Sequence, residues 1–419
     1  MKYGLLGEHL SHSYSPLIHS LIGDYEYCLF EKSPHEVEDF LKHGDFQAIN
    51  VTIPYKKAVI PYLSALSERA LKVGSVNVVI RCPDGTLFGD NSDYGGFASL
   101  VRKSKIRIKD KKVLILGSGG ASMAVRAVVS DMGAKSITVI SRTGEDNYEN
   151  IDRHADSDVI INTTPVGMYP NNGESPLDLS VFKKLSGVID IIYNPYKTAL
   201  VLQAEEMGIP AIGGLHMLVA QAVIASEMFF DSTVPLEKIE KIEKHVASEM
   251  KNVVFIGMPG CGKTTTARRL AAISGREFID IDAEIVKKCG KSIPEIFEEE
   301  GEEAFRKIET EVTAEVCKKS GCIISCGGGV VTRPENKSLI RQNSTVVFLS
   351  RNIHTLATRG RPLSETNSAE ALWKKRSPMY KAWSDLKILN NGVTPTAIAI
   401  AKTLHLKPKK GKENEASDN

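Results

Sequence analysis

Two glycine-rich turns in this 419-residue chain have the residue types and spacing to hold phosphates. In the run GMPGCGKTT, Gly257, Gly260, Gly262, Lys263, Thr264 and Thr265 follow the apolar stretch NVVFI and open a helical pattern. Backbone N–H groups of such a loop cradle phosphates, its lysine reaches the β and γ phosphates, and its threonine hydroxyl binds Mg²⁺. That pattern implies a nucleoside triphosphate. The other turn, Gly117-Ser118-Gly119-Gly120-Ala121, lies between the apolar run VLIL and the helical pattern SMAVRAVVSD. Glycines there let the backbone approach a pyrophosphate at a helix N-terminus, the context of a dinucleotide fold, although such turns also occur without a ligand. The next apolar run, SITVI, ends in Ser141-Arg142-Thr143. An NAD site would put an acid here, whereas an arginine suits the 2′-phosphate of NADP. NADP is therefore favoured, with Glu145 and Asp146 close enough to blur the choice.

The elements that must position these turns are of α/β type. KYGLLG, AINVTI and SVNVVI read as strands in the first hundred residues. From KKVLILG onward, strands separated by helix-length segments imply βαβ units and a parallel sheet, and a second such series starts at 252. Between the two series, Leu236, Ile239, Ile242 and Val246 mark a charged amphipathic segment expected to be a solvated helix or linker. The polar tail KPKKGKENEASDN reads as disordered.

Composition narrows the class further. With 42% hydrophobic and 25% charged residues the chain is an ordinary globular protein, and its length calls for two or three domains. A net charge of +2 supplies no global field to draw in nucleic acid or membrane. No apolar run approaches the roughly 18–20 residues of a membrane span, and the start lacks a signal-peptide core. Seven scattered cysteines without a CxxC pair suggest reduced thiols in a cytoplasm, and ten histidines form no ligand pair. No metal site built from side chains alone is expected, and oligomeric state is not legible.

Other runs carry resemblances. Residues 1 to about 245 resemble shikimate dehydrogenase, through SHSYSPLIH, INVTIPYK, GSVNVV, GDNSDYGG, INTTPVGM, DIIYNPYKTAL and GLHMLVAQA. The resemblance implies Lys56 and Asp93 as catalytic residues, with Ser13, Ser15, Thr52, Asn77, Tyr193 and Gln221 binding substrate. The chemistry suits these types: a ring ketone that accepts hydride develops negative charge on oxygen, and a cationic donor stabilises it. Asp93 has a duller alternative as a helix cap. His216, in GLHML, departs from the usual small residue, as Ser141 does from asparagine.

Residues 252 to about 405 resemble shikimate kinase, through EFIDIDAEIV, EEAFRKIE, SCGGGVV, RGRPL and KKRSPMY. Here the resemblance implies Asp282 as base and hydroxyl ligand, with Lys263 catalytic. It implies Asp280 beside Thr264 for Mg²⁺ through water, and Arg306 and Arg376 on the substrate carboxylate with Gly328 and Gly329. Arg361 would come from a lid a few residues shorter than in many relatives.

Together the resemblances imply a substrate lobe at 1–96 and 220–247, a Rossmann-type NADP lobe at 97–219, a linker at 248–251, a P-loop kinase domain at 252–405 and a tail at 406–419. The expected ligands are 3-dehydroshikimate, shikimate, NADP(H) and ATP with Mg²⁺, with neither nucleic acid nor membrane as partner. Two alternatives stay open: a quinate/shikimate dehydrogenase using NAD, and a second half that only binds nucleotide as a regulatory module.

Overall fold

The computed structural model describes residues 2–10, 13–352 and 369–407. Arg361, most of the expected lid and the tail beyond Lys407 lie outside the described residues. The chain divides into two compact units, Met1–Ala247 and Ser248–Asn419.

The first unit holds two sheets. One is mixed, built from β1 (Tyr3–Gly7), β2 (Tyr27–Glu31), β3 (Ala48–Val51), β4 (Ala65–Leu66), β5 (Val78–Arg81) and β6 (Leu87–Asp90), in the order β2-β1-β3-β5-β6-β4. The three runs read as strands from sequence are β1, β3 and β5. Both β3–β5 and β5–β6 pair antiparallel, so Asn50 faces Val78 and Val78 faces Asp90. The other sheet is wholly parallel: β7 (Lys112–Leu116), β8 (Ser136–Ile140), β9 (Val159–Asn162), β10 (Gly187–Asp190) and β11 (Ala211–Ile212), ordered β11-β10-β9-β7-β8. Strand order reverses at β7, which has β8 on one side and β9 on the other. Ligands of open α/β sheets bind beyond the carboxyl end of such a strand, and the 117–121 turn occupies that place.

Helices α1 (Ser15–Ile22), α2 (Val37–His43) and α3 (Glu68–Val73) serve the mixed sheet, and α5 (Gly120–Asp131) and α6 (Ala199–Glu206) the parallel one. Between the sheets run α4 (Ser92–Ser104) and α7 (Leu215–Phe230), packed on each other. A Cβ on Gly96 would lie 2.8 Å from Gln221 Cβ, so only glycine allows α4 this close to α7. The expected lobe boundaries at 96/97 and 219/220 thus fall inside helices.

The amphipathic segment is α8 (Leu236–Met250), and it corrects the expectation of a solvated helix. Ile239, Ile242 and Val246 are buried, and Glu243 bonds to Lys103 of α4 and His216 of α7. Because α8 reaches Met250, the expected 248–251 linker is mostly helix.

Among the described residues, the second unit has one parallel sheet: β12 (Asn252–Ile256), β13 (Phe278–Asp280), β14 (Ile323–Ser325), β15 (Ser344–Ser350) and β16 (Leu386–Leu389), ordered β13-β14-β12-β15-β16. Order reverses at β12, and again the phosphate-binding loop follows that strand. Its described helices are α9 (Lys263–Ser274), α10 (Ile281–Cys289), α11 (Ile293–Cys317), α12 (Glu335–Arg341), α13 (Ala369–Trp383) and α14 (Val393–Thr403).

Candidate active sites

In the first unit four of the expected substrate residues, Ser13, Ser15, Asn77 and Gln221, are joined by one hydrogen-bond chain. Ser15, first in α1 ahead of Pro16, donates its N–H to Ser13 Oγ at 3.2 Å. Tyr27, hydrogen-bonded to Ser15, donates its hydroxyl to Asn50 Oδ1 at 2.7 Å; burial holds this phenol well above its usual range. Asn50 in turn donates to the Asn77 carbonyl at 3.3 Å. Asn77 is buried and accepts the Ser92 N–H at 2.7 Å, and the Ser92 hydroxyl reaches Gln221 Oε1 at 3.3 Å. Thr52 follows β3 and turns the chain, accepting the Tyr55 N–H at 2.9 Å. Tyr193 lies edge-on to Tyr14, with ring centroids 6.2 Å apart.

Beyond that turn, Lys56 donates to Asp93 Oδ2 at 2.6 Å, and the two side chains are only 17% and 7% exposed. Asp93 is not the cap of α4. Asn91 is, accepting the Tyr94 N–H at 3.1 Å, which leaves the Asp93 carboxylate to the lysine.

The glycine turn at 117–121 comes close to Lys56 of this pair. A Cβ at Gly120 would lie 3.7 Å from Lys56 Cδ. Gly117 has φ +100°, and a side chain there would meet Thr163 Oγ1 at 2.9 Å and Thr164 Cγ2 at 3.0 Å. Ser118 and Gly119 are exposed, Ala121 is half-buried, and α5 begins without a side-chain cap. Its first N–H groups and partial positive charge therefore face outward, as an anion requires. Past β8, Ser141 donates its N–H to the Asp146 carbonyl at 3.2 Å, while Arg142 and Thr143 are exposed. Asp146, an acid that could have favoured NAD, is bonded to His154 Nε2 at 2.8 Å.

His216 is buried with its ring between the Ser99 hydroxyl at 2.9 Å and Glu243 Oε2 at 2.7 Å. Burial opposes ionisation of Glu243, but His216 and Lys103 overcome it and hold the carboxyl below its usual range. The departure in GLHML is thus a fastening for α8.

In the second unit a cavity of about 340 Å³ joins the phosphate-binding loop to Asp282, Arg306, Arg376, Gly328 and Gly329. Lys263 is buried, and its ammonium donates to the Gly257 and Met258 carbonyls, both at 3.0 Å. Thr264 donates its hydroxyl to Asp280 Oδ2 at 2.9 Å. Asp280 also caps α10, accepting from the Asp282 N–H at 3.1 Å, so Asp282 itself is not the cap and lines the cavity. Arg306 is gripped by Glu309 at 2.6 Å and by Glu302 at 3.2 Å. Glu309 is fully buried, and burial raises its carboxyl despite the attraction of Arg306. Arg376 and Tyr380 of α13 both donate to the Gly328 carbonyl, the arginine at 3.2 Å. Glu309 Oε1 and Arg376 Nε are buried without a hydrogen-bond partner among the described residues. Such orphaned groups cost about 1–3 kcal/mol each unless a ligand or water meets them.

Comparison with known proteins follows the division between the units. Residues 5–79 match the family model for the shikimate dehydrogenase substrate binding domain, and residues 259–406 match that for shikimate kinase. A shikimate dehydrogenase (NADP(+)) of Clostridium beijerinckii is 37% identical over 246 residues, 54% of this chain and 91% of the relative. The chain belongs to the shikimate dehydrogenase family. A Methanosphaera stadtmanae relative of the same name is 35% identical over 279 residues, 58% of this chain and 96% of the relative. Among solved structures, a chorismate mutase/shikimate 5-dehydrogenase fusion from Clostridium acetobutylicum superposes with a TM-score of 0.56 at 38% identity, covering 58% of this chain and 96% of that one. A Thermus thermophilus shikimate 5-dehydrogenase, solved with NADP(H) and shikimate, gives 0.54 at 25% identity, covering 58% and 99%.

For a shikimate dehydrogenase followed by a shikimate kinase domain, the structure adds residues that the motifs left out. Ser92 links Asn77 to Gln221, and Glu302 and Glu309 hold Arg306. Asn390 donates to the Cys261 carbonyl at 2.8 Å and braces the phosphate-binding loop. The i−4 and i+3 spacing of the two glutamates about Arg306 was a readable signal on a helix. Asn390 had none, being far from the loop in sequence.

Proposed function

We propose that the chain catalyses two successive reactions: NADPH-dependent reduction of 3-dehydroshikimate to shikimate, then MgATP-dependent phosphorylation of the shikimate 3-hydroxyl. The observation carrying this reading is the Lys56–Asp93 pair at 2.6 Å, its carboxylate buried and its lysine half-buried, beside the glycine turn at 117–121. The uncapped start of α5, the open space around Gly119 and exposed Arg142 fit a dinucleotide bearing a 2′-phosphate. Bound there, the dinucleotide supplies the hydride. Ser13, Ser15, Asn77 and Gln221 offer hydroxyl and amide groups to a polyhydroxylated ring acid. Lys56 stabilises the oxygen that gains charge and gives it a proton, while Asp93 holds the ammonium in place.

In the second unit, positioning and cations carry the reaction. Arg306 and Arg376 clamp the ring carboxylate, the one with its planar fork already aligned by Glu302 and Glu309. Asp282 orients the attacking hydroxyl and takes its proton. Lys263 exchanges two loop carbonyls for phosphate oxygens, and Thr264 with Asp280 receives the hydrated Mg²⁺ of MgATP. Two acidic-ring clamps in one chain support a shared intermediate, so shikimate is the product of one site and the substrate of the other.

A one-pot assay with 3-dehydroshikimate, NADPH and MgATP tests this by following NADPH absorbance and ADP together. The expected result is one ADP per NADPH consumed, with ADP formation depending on the first step. ADP release independent of any ring acid, or NADPH loss without ADP, would refute it.

A further inference from the structure

Behind the dinucleotide turn lies a carboxylate that the proposed chemistry does not use. Asp190 ends β10, has no exposed surface, and pairs in register with Asn162 at the end of β9. Three donors converge on it: Asn162 Nδ2 at 3.1 Å, the Ile192 N–H at 3.0 Å and the Thr198 hydroxyl at 2.7 Å. An ionised carboxylate is acceptor-only and can satisfy all three. The Asn162 amide is thereby oriented, its NH₂ toward Asp190 and its oxygen toward the Thr164 N–H at 3.0 Å and hydroxyl at 2.7 Å. Reversing that amide would set oxygen against carboxylate and NH₂ against N–H. Thr164, so held, and Thr163, whose hydroxyl donates to the Leu116 carbonyl at 2.6 Å, form the surface against which Gly117 packs.

We propose that Asp190 is a positioning residue for the dinucleotide: its carboxylate fixes Asn162, and through it the Thr163–Thr164 turn beside Gly117. The inference rests on the reading of the first unit as a dinucleotide-dependent dehydrogenase. Burial raises the Asp190 carboxyl to about 6, against which Thr198, Ile192 and Asn162 pull down. All three are neutral, and Lys197, in the loop that follows β10, is paired with Glu205 at 2.7 Å. The buried charge therefore costs stability, where an apolar residue would cost less. A local rule broken in this way, at the carboxyl end of the sheet, marks a position held by function.

The test is the Kd of NADPH for the full chain, read from nicotinamide fluorescence, with kcat at saturating NADPH alongside. Asp190→Ala strands two buried N–H donors and is expected to raise Kd about tenfold, with kcat changed less than threefold. Asp190→Asn keeps one oxygen for Asn162 and Ile192 and offers its NH₂ to Thr198, so Kd is expected within about threefold of the parent. Asn162→Ala removes the relay from the other end, should match the alanine at 190, and decides the matter if Asp190→Ala does not fold. Parent-like Kd in both alanine variants, or an asparagine as damaging as alanine, would overturn the positioning role and leave the dehydrogenase reading standing. Failure of the unaltered chain to bind NADPH would sink both.

Discussion

Substitution of Lys56 by methionine separates the two activities most sharply. The change removes the ammonium and keeps most of the side-chain volume. Loss of a single preorganised donor to a developing oxyanion lowers turnover about 10²–10³-fold, or roughly 2.7–4 kcal/mol. Asp93 adds a second cost, because its side chain is 7% exposed and has Lys56 at 2.6 Å as its counter-charge. Stranding one partner of a buried pair destabilises by about 3–5 kcal/mol, an upper figure here because the carboxyl can take up a proton instead. Lys56→Met should therefore lose most reduction of 3-dehydroshikimate and unfold at lower denaturant, while Lys56→Met with Asp93→Asn recovers stability and not turnover. The assay is NADPH oxidation with urea titration, and phosphorylation of supplied shikimate serves as control. Turnover within threefold of the parent, or an equal loss of phosphorylation, would refute the reasoning.

Other outcomes follow from close contacts and buried charge. A Cβ on Gly329 would lie 2.2 Å from both terminal nitrogens of Arg306, while its φ of −98° suits alanine, so Gly329→Ala acts through space alone. The KM for shikimate in the kinase reaction is expected to rise at least tenfold, with NADPH-dependent reduction unchanged; parent KM would exclude Arg306 as a carboxylate ligand. Because the folded Asp190 carboxyl ionises at about 6 instead of 3.8, the native chain holds a proton that the unfolded chain has lost between those values. Its contribution to stability is complete below pH 3.8 and falls by about 3 kcal/mol as pH rises through 6. Denaturant unfolding at pH 4 to 7 should show this slope in the parent and lose it in Asp190→Asn; identical slopes would contradict it.

Contiguous motifs were legible because their chemistry is local. The run GMPGCGKT carries its loop glycines, lysine and hydroxyl within eight residues, and the backbone alone brings them together. Strand runs such as VLIL and NVVFI were readable for a similar reason, since buried parallel strands are apolar on both faces. The amphipathic pattern of α8 was equally plain, but its burial was not: an apolar stripe says that a helix needs a partner and does not name Lys103 and His216.

Residue types and order along the chain thus determined the α/β class, the two glycine-rich turns that follow strands and the arginine, instead of an acid, that follows β8. Tertiary structure alone decided which acids are left free for the proposed chemistry. Asn91 takes the cap of α4 and frees Asp93 for Lys56, and Asp280 takes the cap of α10 while Asp282 faces the cavity. It also placed Asp190 against Asn162, and Glu309 beneath Arg306. The physical reason is that a carboxylate's role depends on which donors and charges surround it within a few ångströms. Those neighbours come from strands and helices tens of residues away, brought together by burial of the core.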